Sequence, residues 1–199
     1  MRRILLFLGL VLLSITSLNA ESKWCNAIVH FKNGENLECQ AEKIAPWNNE
    51  FSIRRDVNSK KEKLKKSDIK VVEMVYEDGV ARIYCNIPYV NFDKAAKGDY
   101  SKTVEFDWLP LSKVGYVTLF HYVLNASCNN FYLKRADTDF AIALITGKMV
   151  DKKSKKALAL FFADYPELAQ SLEKRKIKSE EVESIVDEYN QWHESQQGK

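Results

Sequence analysis

Four cysteines, three histidines and the Asp137, Asp139 pair are the residues here whose chemistry could form cross-links, hold a metal or cleave a bond. Cys25, Cys39, Cys85 and Cys128 are an even set. In an oxidising compartment they could close two disulfides, in any of three connectivities. None has the C-x-x-C spacing of a zinc site or a thioredoxin-like redox centre, and buried free thiols are the competing reading. His30, His121 and His193 do not supply a three-histidine zinc site or a triad, and the chain has no GxSxG, HExxH, GxGxxG or GxxxxGK[ST]. No cofactor and no metal is expected. Paired carboxylates for glycoside hydrolysis need two acids about 5–10 Å apart in space. Asp137 and Asp139 are the nearest candidates by strand spacing, and an acid-flanked turn is the plainer account of them.

Whether cysteines can pair depends on where the chain resides. Arg2 and Arg3 precede an apolar run from Ile4 to Leu13, followed by Ser14, Thr16, Ser17, Asn19 and Ala20. That order is a basic region, an apolar region and a small-residue cleavage site, so residues 1–20 read as an export signal and the mature chain as starting at Glu21. The run falls short of the roughly 20 apolar residues that cross a bilayer. Cys25 is too far from the cleavage site for a lipid anchor. The expected address is periplasmic or secreted, with no transmembrane segment once the signal is removed. The leader takes two arginines with it, leaving 28 basic against 27 acidic residues. That near-neutral balance gives no reason to expect nucleic acid as a partner, since non-specific binding draws on clustered positive charge. The basic stretches Lys60–Lys66 and Lys152–Lys156 read as a solvated turn and a helix start.

The elements that would position these groups change period along the chain. Ala27–Phe31 and Leu37–Ile44 flank Asn33-Gly34, and Ile69–Tyr76 and Ala81–Ile87 flank Asp78-Gly79, so two hairpins are expected. If Asn33 and Gly34 alone form the first loop, Cys39 faces Ile28 and lies on the opposite face from Cys25. By the same counting Cys85 faces Val72 and is buried. A disulfide from Cys85 to Cys25 or Cys128 is then favoured over one between Cys25 and Cys39. Phe51–Arg55 and Glu62–Lys66 complete a small curved roll or barrel over residues 21–94. After a polar stretch at 95–101, Val104 to Ile145 reads as a second antiparallel meander, with His121 on the Val117, Leu119 and Val123 face as a satisfied core histidine. Asn125-Ala126-Ser127 is a glycosylation triplet, relevant only to a eukaryotic secretory route.

Helical spacing follows. Leu158, Phe161, Phe162, Tyr165, Leu168 and Leu172 form one apolar stripe, and Val182, Ile185, Val186, Tyr189 and Trp192 another. The first should break at Asp164-Tyr165-Pro166 with Asp164 as cap, and Ser179 should start the second. The class is α+β: antiparallel hairpins and meanders, then amphipathic helices covering the second sheet (102–194), with a tail at 195–199.

Two resemblances accompany this reading. His30-Phe31-Lys32-Asn33-Gly34 and the strand spacing resemble small SH3-like or Sm-like barrels, which implies a fold and no activity. Phe131-Tyr132-Leu133-Lys134-Arg135, Phe161-Phe162-Ala163-Asp164-Tyr165-Pro166-Glu167-Leu168 and Ile185-Val186-Asp187-Glu188-Tyr189-Asn190 resemble the C-terminal half of small exported proteins of Bacteroidetes, over about residues 116–192. That implies a Gram-negative envelope address. Two function classes result: a non-catalytic envelope module that binds protein, peptide or glycan, and a small hydrolase with a paired-carboxylate site. A concave pocket with two acids and apolar walls would favour the hydrolase, and a flat surface with exposed aromatics the binder.

Overall fold

The structure, a computed structural model, describes residues 24–44, 50–125 and 128–197. The expected export signal lies outside these residues, as do two of the three residues of the glycosylation triplet. Ten strands run in chain order: β1 (Trp24–Phe31), β2 (Asn36–Glu42), β3 (Glu50–Arg54), β4 (Glu62–Lys65), β5 (Ile69–Val75), β6 (Ala81–Val90), β7 (Val104–Lys113), β8 (Val117–Asn125), β9 (Cys128–Arg135) and β10 (Ala141–Thr146). Four helices are α1 (Phe92–Ala95), α2 (Lys152–Phe161), α3 (Pro166–Lys174) and α4 (Val182–Gln197), the last preceded by a 3-10 turn at Ser179–Glu181. The α+β class, the antiparallel hairpins and the C-terminal helices are as expected.

All ten strands belong to one hydrogen-bonded sheet in the order β10-β9-β8-β7-β6-β5-β1-β2-β3-β4. The closed barrel is formed by β6 to β10, residues 81–146. Strands β6 to β10 go alternately up and down, and in a five-strand meander the first and last point the same way, so closure must be parallel. Ala141 pairs with Tyr89 and Ile142 with Val90 in that parallel sense. The stretch 95–101 separates β6 from β7 in sequence, yet the two pair from Tyr84 opposite Pro110 to Tyr89 opposite Val104.

Alternation along the strands sorts side chains into three cores. Leu109, Phe120, Tyr132, Ala141 and Ala143, with Cys85, Ile87 and Leu111, come from all five barrel strands and fill the barrel interior. Val117, Leu119, Phe131, Leu133, Ile142 and Leu144 point outward beneath Leu158, Phe162, Leu168, Ile185, Val186 and Tyr189 of the helices. The N-terminal strands wrap a third cluster that includes Val29, Phe51, Ile53, Val72 and Trp108.

The two hairpin loops have three residues, not two. Phe31 N donates to Glu35 O at 2.9 Å and Gly34 N to Phe31 O at 3.1 Å; Tyr76 and Val80 repeat the pattern, with Gly79 N donating to Tyr76 O. Gly34 at φ 91° and Gly79 at φ 75° take the left-handed position that ends such a loop. The extra residue shifts the register by one. Cys39 therefore faces Ala27 instead of Ile28, and Cys85 faces Val71 instead of Val72. Cys25 and Cys39 consequently share a face, both buried in the N-terminal core, which reverses the expected arrangement. Cys85 lies across β6 from them, inside the barrel. The expected disulfides are not formed, and all four cysteines are free thiols.

Candidate functional site

A cleft of about 700 Å³ opens where β8 and β9 meet the segment that carries the chain into α4. That volume is in the range of small-molecule and peptide-segment pockets, about 300–1,000 Å³. Three separate stretches of chain build it. Register places His121 directly opposite Phe131 on neighbouring strands, and their rings stack with centroids 4.2 Å apart. Gly147 to Met149 leave β10, and an isolated antiparallel bridge joins Met149 to Lys178. The 3-10 turn and the first residues of α4 add Ser179, Glu180 and Glu183. Glu181 fixes that turn by accepting from the Lys178 backbone N–H at 2.6 Å.

A polar network forms the floor. The Thr146 hydroxyl donates to the Asn129 carbonyl at 3.4 Å, so it is the Ser179 hydroxyl that donates across the 2.6 Å contact to Thr146 Oγ1. Asn129 Nδ2 donates to Ser179 Oγ at 3.3 Å, which orients Asn129 Oδ1 to accept from His121 Nε2 at 3.2 Å. Satisfying every member in this way puts the proton of a neutral His121 on Nε2 and leaves Nδ1 facing Glu183, 3.9 Å away. Glu183 also accepts from the Ser112 hydroxyl at 3.3 Å. Ser179, 6% exposed, and Thr146, 2% exposed, are thus buried polar groups with their hydrogen bonds made. The Ser179 proton goes to Thr146 and not to a base, and His121 bonds to an amide, so the two do not form a nucleophile and base.

His121 lies on the Val117 and Leu119 strand as expected, yet its imidazole lines the cleft and is not enclosed in the core. His30 bonds to Asn36 and Glu73 on the N-terminal strands, and His193 stacks on Tyr116. The three histidines do not meet. Asp137 accepts from the Tyr116 hydroxyl at 2.9 Å and, with the exposed Asp139, belongs to the turn before β10, away from the cleft. Asp164 does not cap α3. Tyr165 holds that position without a side-chain bond, and Asp164 turns back to Arg135 and Tyr189.

The carboxylates that reach the cleft are Glu180 and Glu183, one helical turn apart, with Phe131 and Met149 as apolar neighbours. Glu180 is largely exposed and pairs with Lys178 at 3.3 Å. Asn129, Thr146 and the Glu180, Glu183 pair had no sequence signal as a site, because strand, strand end and helix start come together only through barrel closure. Among the described residues no cluster of three His, Cys, Asp or Glu side chains forms a metal site, and no helix is long and apolar enough to cross a membrane. No protein-family model, curated protein or solved structure matches the chain.

Proposed function

We propose that this chain is an exported envelope protein whose cleft beside α4 binds a segment of a protein, peptide or glycan without chemical change. The address rests on the order of residues in 1–20 and on the resemblance of residues 116–192 to small exported proteins. The observation that carries the binding reading is the floor of the cleft. Ser179 and Thr146 are buried and Asn129 half-buried, all three bonded into one network, while the Glu183 carboxylate offers an acceptor beside His121, Phe131 and Met149. Fixed polar groups next to apolar surface orient a ligand with little ordering cost.

Site-specific photo-crosslinking in the native envelope tests this reading. A photoreactive residue at Met149, on the cleft rim, should give a discrete adduct, and one at Val57, which is 65% exposed and remote from the cleft, should not. Equal labelling from both positions would overturn the reading.

Glu180 and Glu183 favour a second reading, a hydrolase with paired carboxylates. Turnover of a panel of aryl glycosides, abolished by Glu183→Gln and by Glu180→Gln alike, would establish it in place of the first. Without turnover it fails.

A further inference from the structure

The fold draws together two basic stretches that are separate in sequence. Lys148, Lys152, Lys153, Lys155 and Lys156 lead into and along α2, and Lys174, Arg175, Lys176 and Lys178 join α3 to the 3-10 turn. Val150 N donates to Ile177 O at 2.9 Å and Ser179 N to Lys148 O at 3.1 Å, which lays the two segments side by side. Lys155 Nζ reaches the carbonyls of Glu173 and Arg175, both at 3.3 Å, at the C-terminal end of α3.

Few acids offset these cations. Asp151 caps α2 at Ser154 N, Asp93 pairs with Lys153, Glu181 with Arg175 and Glu180 with Lys178. Lys148, Lys152, Lys156, Lys174 and Lys176 are exposed and have no ion pair among the described residues. Five unpaired lysines on segments that the Val150–Ile177, Lys148–Ser179 and Lys155–Arg175 bonds hold side by side, in a mature chain whose charges nearly balance, repel one another. A partner of opposite sign relieves that repulsion on binding.

This face runs into the cleft, because Lys148 and Lys178 stand on its rim on either side of Met149. Met149 is 42% exposed, an adaptable apolar side chain of the kind used at peptide-binding surfaces. Beside Met149 in the cleft lining, the Glu183 carboxylate is an acceptor and calls for N–H or O–H donors. A phosphate backbone has no such donors and would meet the Glu180 and Glu183 carboxylates. A planar membrane does not enter a concave cleft. A peptide carries carboxylates, apolar side chains and backbone N–H groups on one strand.

On the binding reading above, we propose that the ligand is an extended acidic peptide segment of a partner protein. One apolar side chain packs against Met149, the backbone donates to Glu183, and flanking carboxylates lie on Lys148, Lys152 and Lys176.

Fluorescence anisotropy with the mature protein and a short labelled Glu-rich peptide with a central leucine tests this inference. We expect saturable binding that weakens roughly tenfold or more between low and physiological salt, as screening of exposed charges requires. A similar loss should follow in the Lys148→Glu, Lys152→Glu, Lys176→Glu triple variant, checked for an unchanged circular dichroism melt. Replacing the leucine by glycine, or Met149 by Glu, should weaken binding, and Lys60→Glu, in the turn between β3 and β4, should not. The inference is overturned if the triple variant binds as the parent does, or if heparin or oligo-dT binds as tightly as the peptide. It is also overturned if the leucine makes no difference. An adduct from Met149 in the envelope with no binding of the acidic peptide would leave the cleft as the binding site and remove the acidic peptide as its ligand.

Discussion

The guanidinium of Arg135, on β9, donates to the carboxylate of Asp164 in the turn between α2 and α3, and the Tyr189 hydroxyl of α4 donates to the same oxygen at 2.7 Å. Arg135 also donates to the Phe161 carbonyl at 2.9 Å and lies over the rings of Tyr116, Phe161 and Tyr189. One arginine thus ties the barrel to α2, to the turn after it and to α4, at the point where the first helical stripe breaks. The helix break and the strand Phe131–Arg135 are both visible in the sequence; their partnership is not.

That contact sets a pH dependence. Burial works to raise the Asp164 carboxyl, but the Tyr189 hydroxyl and the Arg135 guanidinium outweigh it and hold the carboxyl below the usual carboxylate range. As pH falls, the unfolded chain, with an ordinary Asp value of about 3.9, takes up this proton before the folded chain does. The stabilisation is therefore complete above that value and is lost as pH drops toward the lower folded value. Asp164→Asn should lower stability near neutral pH and flatten the loss between about pH 5 and pH 3. Urea midpoints across that window check this, and an unaltered slope would refute it.

A second clamp depends on a glycine. The Asn190 side chain on α4 accepts from Val117 N at 2.8 Å and donates to Val117 O at 3.0 Å, standing in for a strand partner at the start of β8. A Cβ on Gly115 would lie 2.3 Å from Asn190 Nδ2, and the amide cannot swing aside without giving up both bonds. Gly115→Ala should cost about 1–3 kcal/mol. Asn190→Ala should cost a similar amount by leaving two backbone groups unpaired, and the double variant should cost less than the sum. Denaturant titration of the four proteins decides it.

Strand and helix positions were legible because period-2 and period-3.6 patterns are local, and the break before Pro166 was legible because proline suits a first helical turn. Register was not. Asn33-Gly34 and Asp78-Gly79 fit a two-residue loop and equally the last two places of a three-residue loop, and one residue of difference turns a strand over. That single step moved Cys39 to the face of Cys25. Barrel closure between β6 and β10 was not legible either, since a parallel pairing of distant strands leaves no local pattern, and the cleft inherits that. His121, Asn129, Thr146 and Ser179 become neighbours only once the barrel has closed and α4 has docked.

Thiol chemistry follows from the corrected register. Burial pushes the Cys39 and Cys85 thiols up to about 11 and raises that of Cys25. At pH 8 only about one Cys39 or Cys85 in a thousand would be thiolate, the reactive form. The native protein should react slowly with a disulfide reagent at Cys25, Cys39 and Cys85, and denatured protein should titrate four thiols at once. Fast reaction of Cys39 in the native state would contradict its burial.

The C-terminal helices decide whether the barrel can stand alone. Leu158, Phe162, Val186 and Tyr189 have no exposed surface, and with Leu168, Leu172 and Ile185 they cover the outward face of β8, β9 and β10. Each such side chain contributes roughly 1.5–3 kcal/mol of transfer free energy, and together they rival the whole net stability of a domain, about 5–15 kcal/mol. A chain ending at Asp151 would expose Val117, Leu119, Phe131, Leu133, Ile142 and Leu144 to water, and would also lose Asn190 from Val117 and Tyr189 from the Arg135 cluster. It should be insoluble or molten, with far-UV signal and no cooperative melt. In the full chain, Phe161→Ala should cost about 3–5 kcal/mol, since Phe161 lies under the Arg135 guanidinium and edge-on to Phe162. Circular dichroism melts of the two proteins check both expectations. A truncated chain that melts cooperatively at the parent temperature would show that the helices are an appended arm and not part of the barrel's core.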